Sequence, residues 1–137
     1  MREILFRGKR MDNGEWVYGS FCMDALEQYN GLCGVDGFIR LHDKTKGKTQ
    51  MHEVDRETVG QYTGLKDKNG KRIYEGDILN LAWMGRSIVK FDAGLFEADN
   101  GKRFGIIPLA NAPFGKEGVE IIGNIHDDPE LLEGDKQ

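Results

Sequence analysis

Residues 57–78 of the chain read ETVGQYTGLKDKNGKRIYEGDI, and this stretch decides the predicted fold. β-forming residues alternate there with turn residues, and an Asn-Gly pair stands at positions 69–70. Asn and Gly tolerate the positive φ angles that a two-residue hairpin turn requires, so Asn69 and Gly70 predict a hairpin tip. Three cross-strand pairs are then expected: Lys68 with Lys71, Asp67 with Arg72, and Leu65 with Tyr74.

Similar turn chemistry recurs along the rest of the chain. The pairs Asn13-Gly14 and Asn100-Gly101 predict further tight turns, as does Asp92-Ala93-Gly94. Gly76 and Asp77 predict a turn that starts a new strand. The runs between these turns predict strands over residues 2–9, 16–21, 38–42, 58–63, 78–83, 87–91, 95–98, 103–107 and 119–125.

This pattern predicts a mostly β fold with a small SH3-like or β-barrel architecture, built from short antiparallel hairpins, and with a short C-terminal helix. The SH3-like comparison is an analogy drawn from the order of strands and turns. Residues 1–137 are predicted to form a single β-rich domain. An alternative division packs an N-terminal β unit (1–56) on an SH3-like barrel unit (57–126).

The C-terminal helix is predicted over residues 127–134, with Asp127 and Asp128 at its cap. Leu131 or Leu132 is expected to dock back onto the barrel, or onto a second subunit. Three aromatic residues of the second predicted strand are expected to anchor the core: Trp16, Tyr18 and Phe21. The polar run 43–50 is predicted to be a solvated loop or hairpin tip.

Composition indicates a turn-dense globular protein. The 137 residues include 19 glycines but only three prolines, and a hydrophobic fraction of 39% separates the chain from disordered sequences. No apolar run approaches the roughly 20 residues that a membrane span needs, and no apolar segment follows the basic N-terminus. The chain is therefore expected in the cytoplasm, without a membrane partner.

Net charge and cysteine content narrow the classes of function that the sequence allows. The net charge of −4 lowers the expectation of nucleic-acid binding, because phosphate contacts usually require a basic face. Cys22 and Cys33 are expected to be free thiols in a cytoplasmic protein, with a disulfide between them as the alternative. No His or Cys spacing typical of a metal site is present, so neither a metal nor a cofactor is expected.

The predicted hairpin tip is the candidate binding surface. Its cations stand between two tyrosines, and the set comprises Tyr62, Lys66, Lys68, Lys71, Arg72 and Tyr74. Basic side chains beside aromatic rings can contact the phosphates and bases of nucleic acid. The competing interpretation, which we favour, is that hairpin tips are charged because they are solvated and that lysines protect strand edges from pairing.

The candidates for catalysis are weaker. Glu75 and Asp77 could form a carboxylate pair for acid–base chemistry, with His126 as a third group, yet their position in or near turns explains them. The run His126-Asp127-Asp128 resembles a metal-ligand cluster, but helix capping explains the two aspartates. No catalytic residue and no metal ligand is predicted.

Residues 57–78, together with the opening MREILFR (1–7) and the closing IGNIHDDPELLE (122–133), resemble the signature of the YopX family, whose members occur mostly in phages and prophages. The resemblance implies a small, mostly β, phage-encoded protein that self-associates. It offers no catalytic residues to carry over. Residues 22–50 match no pattern, and their role stays open.

Three functional hypotheses follow. The first is a non-catalytic phage or prophage accessory protein that acts by protein binding, as a homo-oligomer or with a host or phage protein. The alternative is a nucleic-acid-binding β-barrel module that uses the basic tip at 66–72. The third is a small metal-dependent hydrolase or nuclease that uses Glu75, Asp77 and His126.

Overall fold

The computed structural model describes residues 2–22, 37–43, 47–81, 84–102, 105–112 and 118–133. The chain divides into two compact units, Met1–Gln61 and Tyr62–Gln137. The division falls beyond the boundary at residue 56 that the sequence suggests, and it lies inside a strand. Cys33 lies outside the described residues, whereas Cys22 is a half-buried free cysteine.

The first unit is an antiparallel meander. Its strands are β1 (Phe6–Lys9), β2 (Trp16–Cys22), β3 (Phe38–Asp43) and β4 (Lys48–Glu53). The polar run, predicted to be a solvated loop or hairpin tip, contains the end of β3 and the start of β4, and the pairing of these strands continues as far as Lys48 opposite Asp43. Backbone hydrogen bonding to β3 therefore makes these residues a strand. Their polarity is that of an exposed strand at the edge of a sheet.

Beyond β4 the chain returns along the free side of β1. Val54 bridges Arg10, a 3₁₀ helix forms at Arg56–Thr58, and the first residues of β5 (Gly60–Lys66) pair with Phe6 and Arg7. This return brings Val54 and Val59 to the core of the first unit.

The core of the first unit consists of Val17, Ile39 and Val54, with Phe6, Phe21 and Val59 packed against it. Gly8 lies against Val54, where an added Cβ would stand 3.1 Å from the Val54 side chain. Because side chains alternate along a strand, Trp16 and Tyr18 point away from the face that carries Val17. Tyr18 is 43% exposed, so the prediction that it anchors the core is wrong, whereas Phe21 does pack there.

The second unit contains the rest of β5 with its partner β6 (Arg72–Tyr74) and a separate antiparallel sheet. The strands of that sheet are β7 (Asp77–Leu81), β8 (Gly85–Asp92), β9 (Leu95–Asp99), β10 (Ile106–Pro108) and β11 (Glu120–Asn124). Their order is β10-β9-β8-β7-β11, so the last strand of the chain pairs with β7. A second 3₁₀ helix (Leu109–Asn111) follows β10, and helix α1 covers Glu130–Glu133.

One apolar cluster forms the core of the second unit. Its buried members include Ile73, Leu79, Leu81, Val89, Ala98, Leu109 and Val119. The mostly β fold with a short C-terminal helix is confirmed. The predicted closure into a barrel is not seen in this sheet, because β10 and β11 remain its two edges among the described strands. The SH3-like comparison stays a prediction.

The Asn-Gly turns form where the sequence places them, but by a different geometry. Gly14, Gly70 and Gly101 have positive φ angles of 71°, 80° and 77°, whereas the preceding asparagines do not. A two-residue turn of type I′ needs positive φ at both positions. That geometry occurs at Ala93 and Gly94, with φ angles of 51° and 83°, between the paired residues Asp92 and Leu95.

The C-terminal segment also differs from the prediction in detail. The helix covers only Glu130–Glu133 of the predicted 127–134, and Gly134 lies outside the described residues. The carboxylates of Asp127 and Asp128 accept hydrogen bonds from the side chain and backbone of Asn124, at 3.0 Å and 3.1 Å. They therefore hold the turn after β11, which corrects their predicted role as helix caps.

Leu131 docks onto the sheet, as the sequence predicts. An added Cβ on Gly123 of β11 would stand 2.9 Å from Leu131 Cδ1, so the two residues are in close contact. The Arg86 guanidinium of β8 also donates a hydrogen bond of 2.6 Å to the Leu131 carbonyl.

Candidate functional site

The tip of the β5–β6 hairpin is a three-residue loop. The Gly70 N–H donates to the Asp67 carbonyl at 3.0 Å, and the Asp67 N–H donates to the Lys71 carbonyl at 2.8 Å. A left-handed Gly70 after such a turn is the pattern that adds a bulge to a hairpin. Lys66 consequently pairs with Arg72 and Tyr62 pairs with Tyr74, so the predicted register is wrong.

The Asp67 carboxylate organises this loop from within. Its Oδ1 accepts hydrogen bonds from the N–H groups of Asn69 and Lys71, both at 2.9 Å. Its Oδ2 accepts a bond of 3.2 Å from the N–H of Ile121 in β11. Asp67 is only 6% exposed. The sequence predicts instead that Asp67 pairs with Arg72 across the hairpin. An aspartate two residues before the tip can also accept hydrogen bonds from the backbone N–H groups of the turn, and this local pattern indicates the observed role.

Lys68 also ties the tip to the last strand. Its N–H donates to the Val119 carbonyl at 2.9 Å, and its ammonium group lies 3.3 Å from the Glu120 carboxylate. The tip is therefore a fixed structure, and the charge of Lys68 is already paired with an anion.

The four predicted cations and the two tyrosines of the tip are separated by burial. Lys66, Lys68, Lys71 and Arg72 are exposed. Tyr62 and Tyr74 are 6% and 4% exposed, and their ring centroids lie 5.7 Å apart. Arg72 lies with its guanidinium 5.7 Å from the Tyr62 ring centroid. The tip thus presents positive charge to solvent, whereas its aromatic rings serve the packing of the hairpin.

Strand pairing brings the two segments that carry the proposed catalytic groups side by side, because Asn124 lies opposite Asp77 in the β7–β11 pair. Asp77 is 2% exposed and accepts a 2.7 Å hydrogen bond from the Tyr74 N–H, which stabilises the predicted turn at Gly76 and Asp77. The His126 N–H donates to the Asn124 side chain, within the turn that follows β11. Within the described part of the chain, no group of three or more His, Cys, Asp or Glu residues could hold a metal ion.

A cleft of about 320 Å³ lies in the first unit between the β1–β2 loop and β4. Its lining residues are Arg10, Met11, Asp12, Met51, His52 and Glu53. The Arg10 guanidinium donates two hydrogen bonds to the Asp12 carboxylate, at 2.9 Å and 2.6 Å. These bonds lower the pKa of Asp12, and they pair the cation of the cleft with an anion of the same loop.

The β8–β9 hairpin carries exposed aromatic surface that the sequence analysis did not single out. Phe91 and Phe96 are a cross-strand pair, and their rings meet edge to face with centroids 5.0 Å apart. Val89 and Ala98 form the neighbouring cross-strand pair on the same face and are buried, so the apolar face of the hairpin continues beyond the core. Phe91 is 52% exposed, and Leu95 in the adjoining turn is 39% exposed. We call Phe91, Leu95 and Phe96 the aromatic hairpin end.

One carboxylate near this hairpin has a shifted pKa. A hydrogen bond from the Gly101 N–H, at 2.8 Å, and the Lys90 ammonium group, at 3.1 Å, lower the pKa of Asp99 from its ordinary value near 3.8. Lys90 and Asp99 thereby join β8 and β9 on the face opposite Phe91.

Comparison with known proteins identifies similar chains. The family model described as YopX protein matches residues 5–133. Protein EF1440 from Enterococcus faecalis, known from a crystal structure, has a similar fold: the TM-score is 0.53 at 24% identity, over 96% of this chain and 99% of that one. No curated protein matches the sequence. Within the described residues, no helix is sufficiently long and apolar to cross a membrane.

Proposed function

Because the chain belongs to the YopX family, we propose that it is a non-catalytic phage or prophage accessory protein that acts by protein binding and associates with itself. The proposal places it in the cytoplasm of a bacterial host. A host or phage protein is the further partner it allows.

The observation that carries this proposal is the aromatic hairpin end. Phe91 exposes half of its side-chain surface although its neighbours on the same face, Val89 and Ala98, are buried. Exposed aromatic side chains of this kind favour association, because burial in an interface removes their apolar area from water. Aromatic residues in contact at an interface frequently supply most of its binding energy.

Light scattering coupled to a sizing column tests self-association of the full chain. The expected result is a mass above that of one chain, with a larger fraction of oligomer at higher protein concentration. A mass equal to one chain at every concentration contradicts self-association.

Nucleic-acid binding through the 66–72 tip has less support. The four exposed cations favour it, but Lys68 already contacts Glu120, and the buried rings of Tyr62 and Tyr74 offer no face on which a base could stack. A titration of labelled oligonucleotide with Lys66→Ala and Arg72→Ala variants tests this alternative. Reduced affinity in both variants, with a smaller salt dependence, would support the tip as the site.

A further inference from the structure

Strand pairing in the first unit places cations and aromatic rings together on one sheet face. In the β1–β2 pair, Lys9 lies opposite Trp16 and Arg7 lies opposite Tyr18. Paired residues point to the same face, and this face is opposite to the one that carries Val17. We call the side chains that it presents, Arg7, Lys9, Trp16, Tyr18 and Arg40, the cation–aromatic face.

Arg40 extends this face onto the third strand. It lies opposite Ser20 of β2, two positions along the strand from Tyr18 and on the same face. On its other side Arg40 lies opposite Met51 of β4. Among the strand residues whose pairing places them on this face, the cations Arg7, Lys9 and Arg40 outnumber the carboxylate of Glu53 on β4, although the whole chain carries a net charge of −4.

The two rings of the face have different surroundings. The Arg7 guanidinium lies 4.6 Å from the Trp16 ring centroid and the Lys9 ammonium group lies 5.6 Å from it. Arg7 is only 6% exposed, so this contact holds a buried cation against the ring of Trp16. Tyr18 is 43% exposed, and Arg40 is exposed as well. The solvent therefore meets an aromatic ring beside an arginine, with more positive charge behind them.

We propose that the cation–aromatic face binds single-stranded nucleic acid, an activity that goes beyond self-association. Tyr18 stacks on a base, while Arg40 and Lys9 contact the adjoining phosphates. Proteins that bind single strands without sequence preference combine a basic surface with aromatic rings on which bases stack. The hairpin tip at 66–72 has exposed cations but buried tyrosines, whereas this face offers both kinds of group to solvent. An acidic peptide would use the cations but would leave the ring without a stacking partner.

Fluorescence anisotropy of the full chain with a labelled oligothymidine tests the proposal at about 50 mM and 200 mM salt. The expected result is binding that weakens as salt rises. Tyr18→Ala should lower the affinity roughly tenfold, while Tyr18→Phe, which keeps the ring, should retain it. Arg40→Ala should lower the affinity and reduce the slope of log affinity against log salt by about one.

Arg72→Ala at the hairpin tip is the matched control for Arg40→Ala, because both arginines are exposed. It should leave the affinity unchanged. Loss of affinity in Arg72→Ala with full affinity in Arg40→Ala would overturn the proposal in favour of the tip. Absence of binding at the lower salt concentration, or equal affinity for an acidic peptide of matched charge, would overturn it as well. Self-association of the same samples is read separately by light scattering, so failure of one property is distinguishable from failure of the other.

Discussion

Asp67 shows how much one short side chain can determine. Its two oxygens accept three backbone hydrogen bonds, two from the loop it begins and one from Ile121, which lies 54 positions further along the chain. A backbone N–H that is buried without an acceptor costs free energy comparable to a lost hydrogen bond. The carboxylate therefore fixes the loop conformation and holds β11 beside it.

Replacing Asp67 with Ala should lower the free energy of unfolding by about 2–3 kcal/mol, because backbone donors lose their acceptor. Asp67→Asn, which keeps one carbonyl oxygen, should cost less. Lys68→Ala serves as the control and should change stability by no more than about 1 kcal/mol, since its ion pair is partly exposed. Urea unfolding measures all three, and equal stability of Asp67→Ala and Lys68→Ala would contradict this role.

Ser87 presents the opposite situation. It is fully buried on β8, and its hydroxyl has no hydrogen-bond partner within the residues that the structure describes. Ser87→Ala should therefore raise the stability by about 1 kcal/mol or leave it unchanged. Thr63→Ala is the control, because the Thr63 hydroxyl donates to the Ile73 carbonyl at 2.8 Å, and it should lower stability by about 1 kcal/mol. Thermal unfolding of the two variants should give shifts that differ, and an equal loss in both would contradict the interpretation.

Asp99 makes stability depend on pH in the acid range. Its pKa is lower in the folded state than its ordinary value of 3.8, so the folded state binds fewer protons there than the unfolded chain. This contribution is present above about pH 4 and is lost as pH falls through the folded pKa. Urea midpoints of the native protein and Asp99→Asn should differ at about pH 6, and the difference should shrink as pH falls below the ordinary pKa of 3.8 and through the lowered folded-state pKa. A constant difference across this range would show that the carboxylate charge plays no part.

At the scale of elements, the β8–β9 turn forms the primed geometry without its favoured residues. Ala93 adopts a φ angle of 51°, where an L side chain is strained, and Gly94 follows at 83°. Asn-Gly is the preferred pair for this turn, yet the three Asn-Gly pairs within the described residues, at 13–14, 69–70 and 100–101, form turns in which only the glycine is left-handed.

Ala93→Asn should consequently raise the stability by roughly 0.5–1 kcal/mol, because asparagine tolerates the left-handed region better than alanine. Ala110→Asn is a matched control, since Ala110 is exposed and does not have a positive φ angle. Ala110→Asn should leave the free energy of unfolding unchanged or lower it slightly. Calorimetry measures both midpoints, and a decrease for Ala93→Asn would show that the strain is not relieved.

The same elements show what sequence reasoning can and cannot predict here. Glycine at a turn is a local signal, so the turns at Gly14, Gly76 and Gly101 were predictable. The register of the β5–β6 hairpin was not predictable from the Asn69-Gly70 pair. The length of its loop depends on hydrogen bonds to the Asp67 carboxylate, which the Asn-Gly pair does not reveal. Tyr62 and Tyr74 are buried, and local composition did not reveal this, because the same residue types occur at buried and at exposed positions of a hairpin.

At the scale of the whole molecule, the aromatic hairpin end is the surface expected to mediate self-association. Phe91→Ser combined with Leu95→Ser should shift the light-scattering mass toward that of one chain, since the apolar area that an interface would cover is removed. Ile4→Ser, which changes a residue that is 58% exposed in the first unit, is the control and should leave the mass unchanged. An unchanged mass in the double variant would show that the aromatic hairpin end does not form the interface.

The position of β11 at one edge of the second sheet has a consequence for synthesis on the ribosome. This strand pairs with β7, and its Ile121 N–H donates a hydrogen bond to the Asp67 carboxylate. Asp67 and β7 are therefore synthesised well before the strand with which they pair. Nascent chains that stop before residue 119 would present the bare edge of β7 to neighbouring polypeptides. Chaperones that recognise unpaired strands would be expected to hold such intermediates until the final strand leaves the exit tunnel.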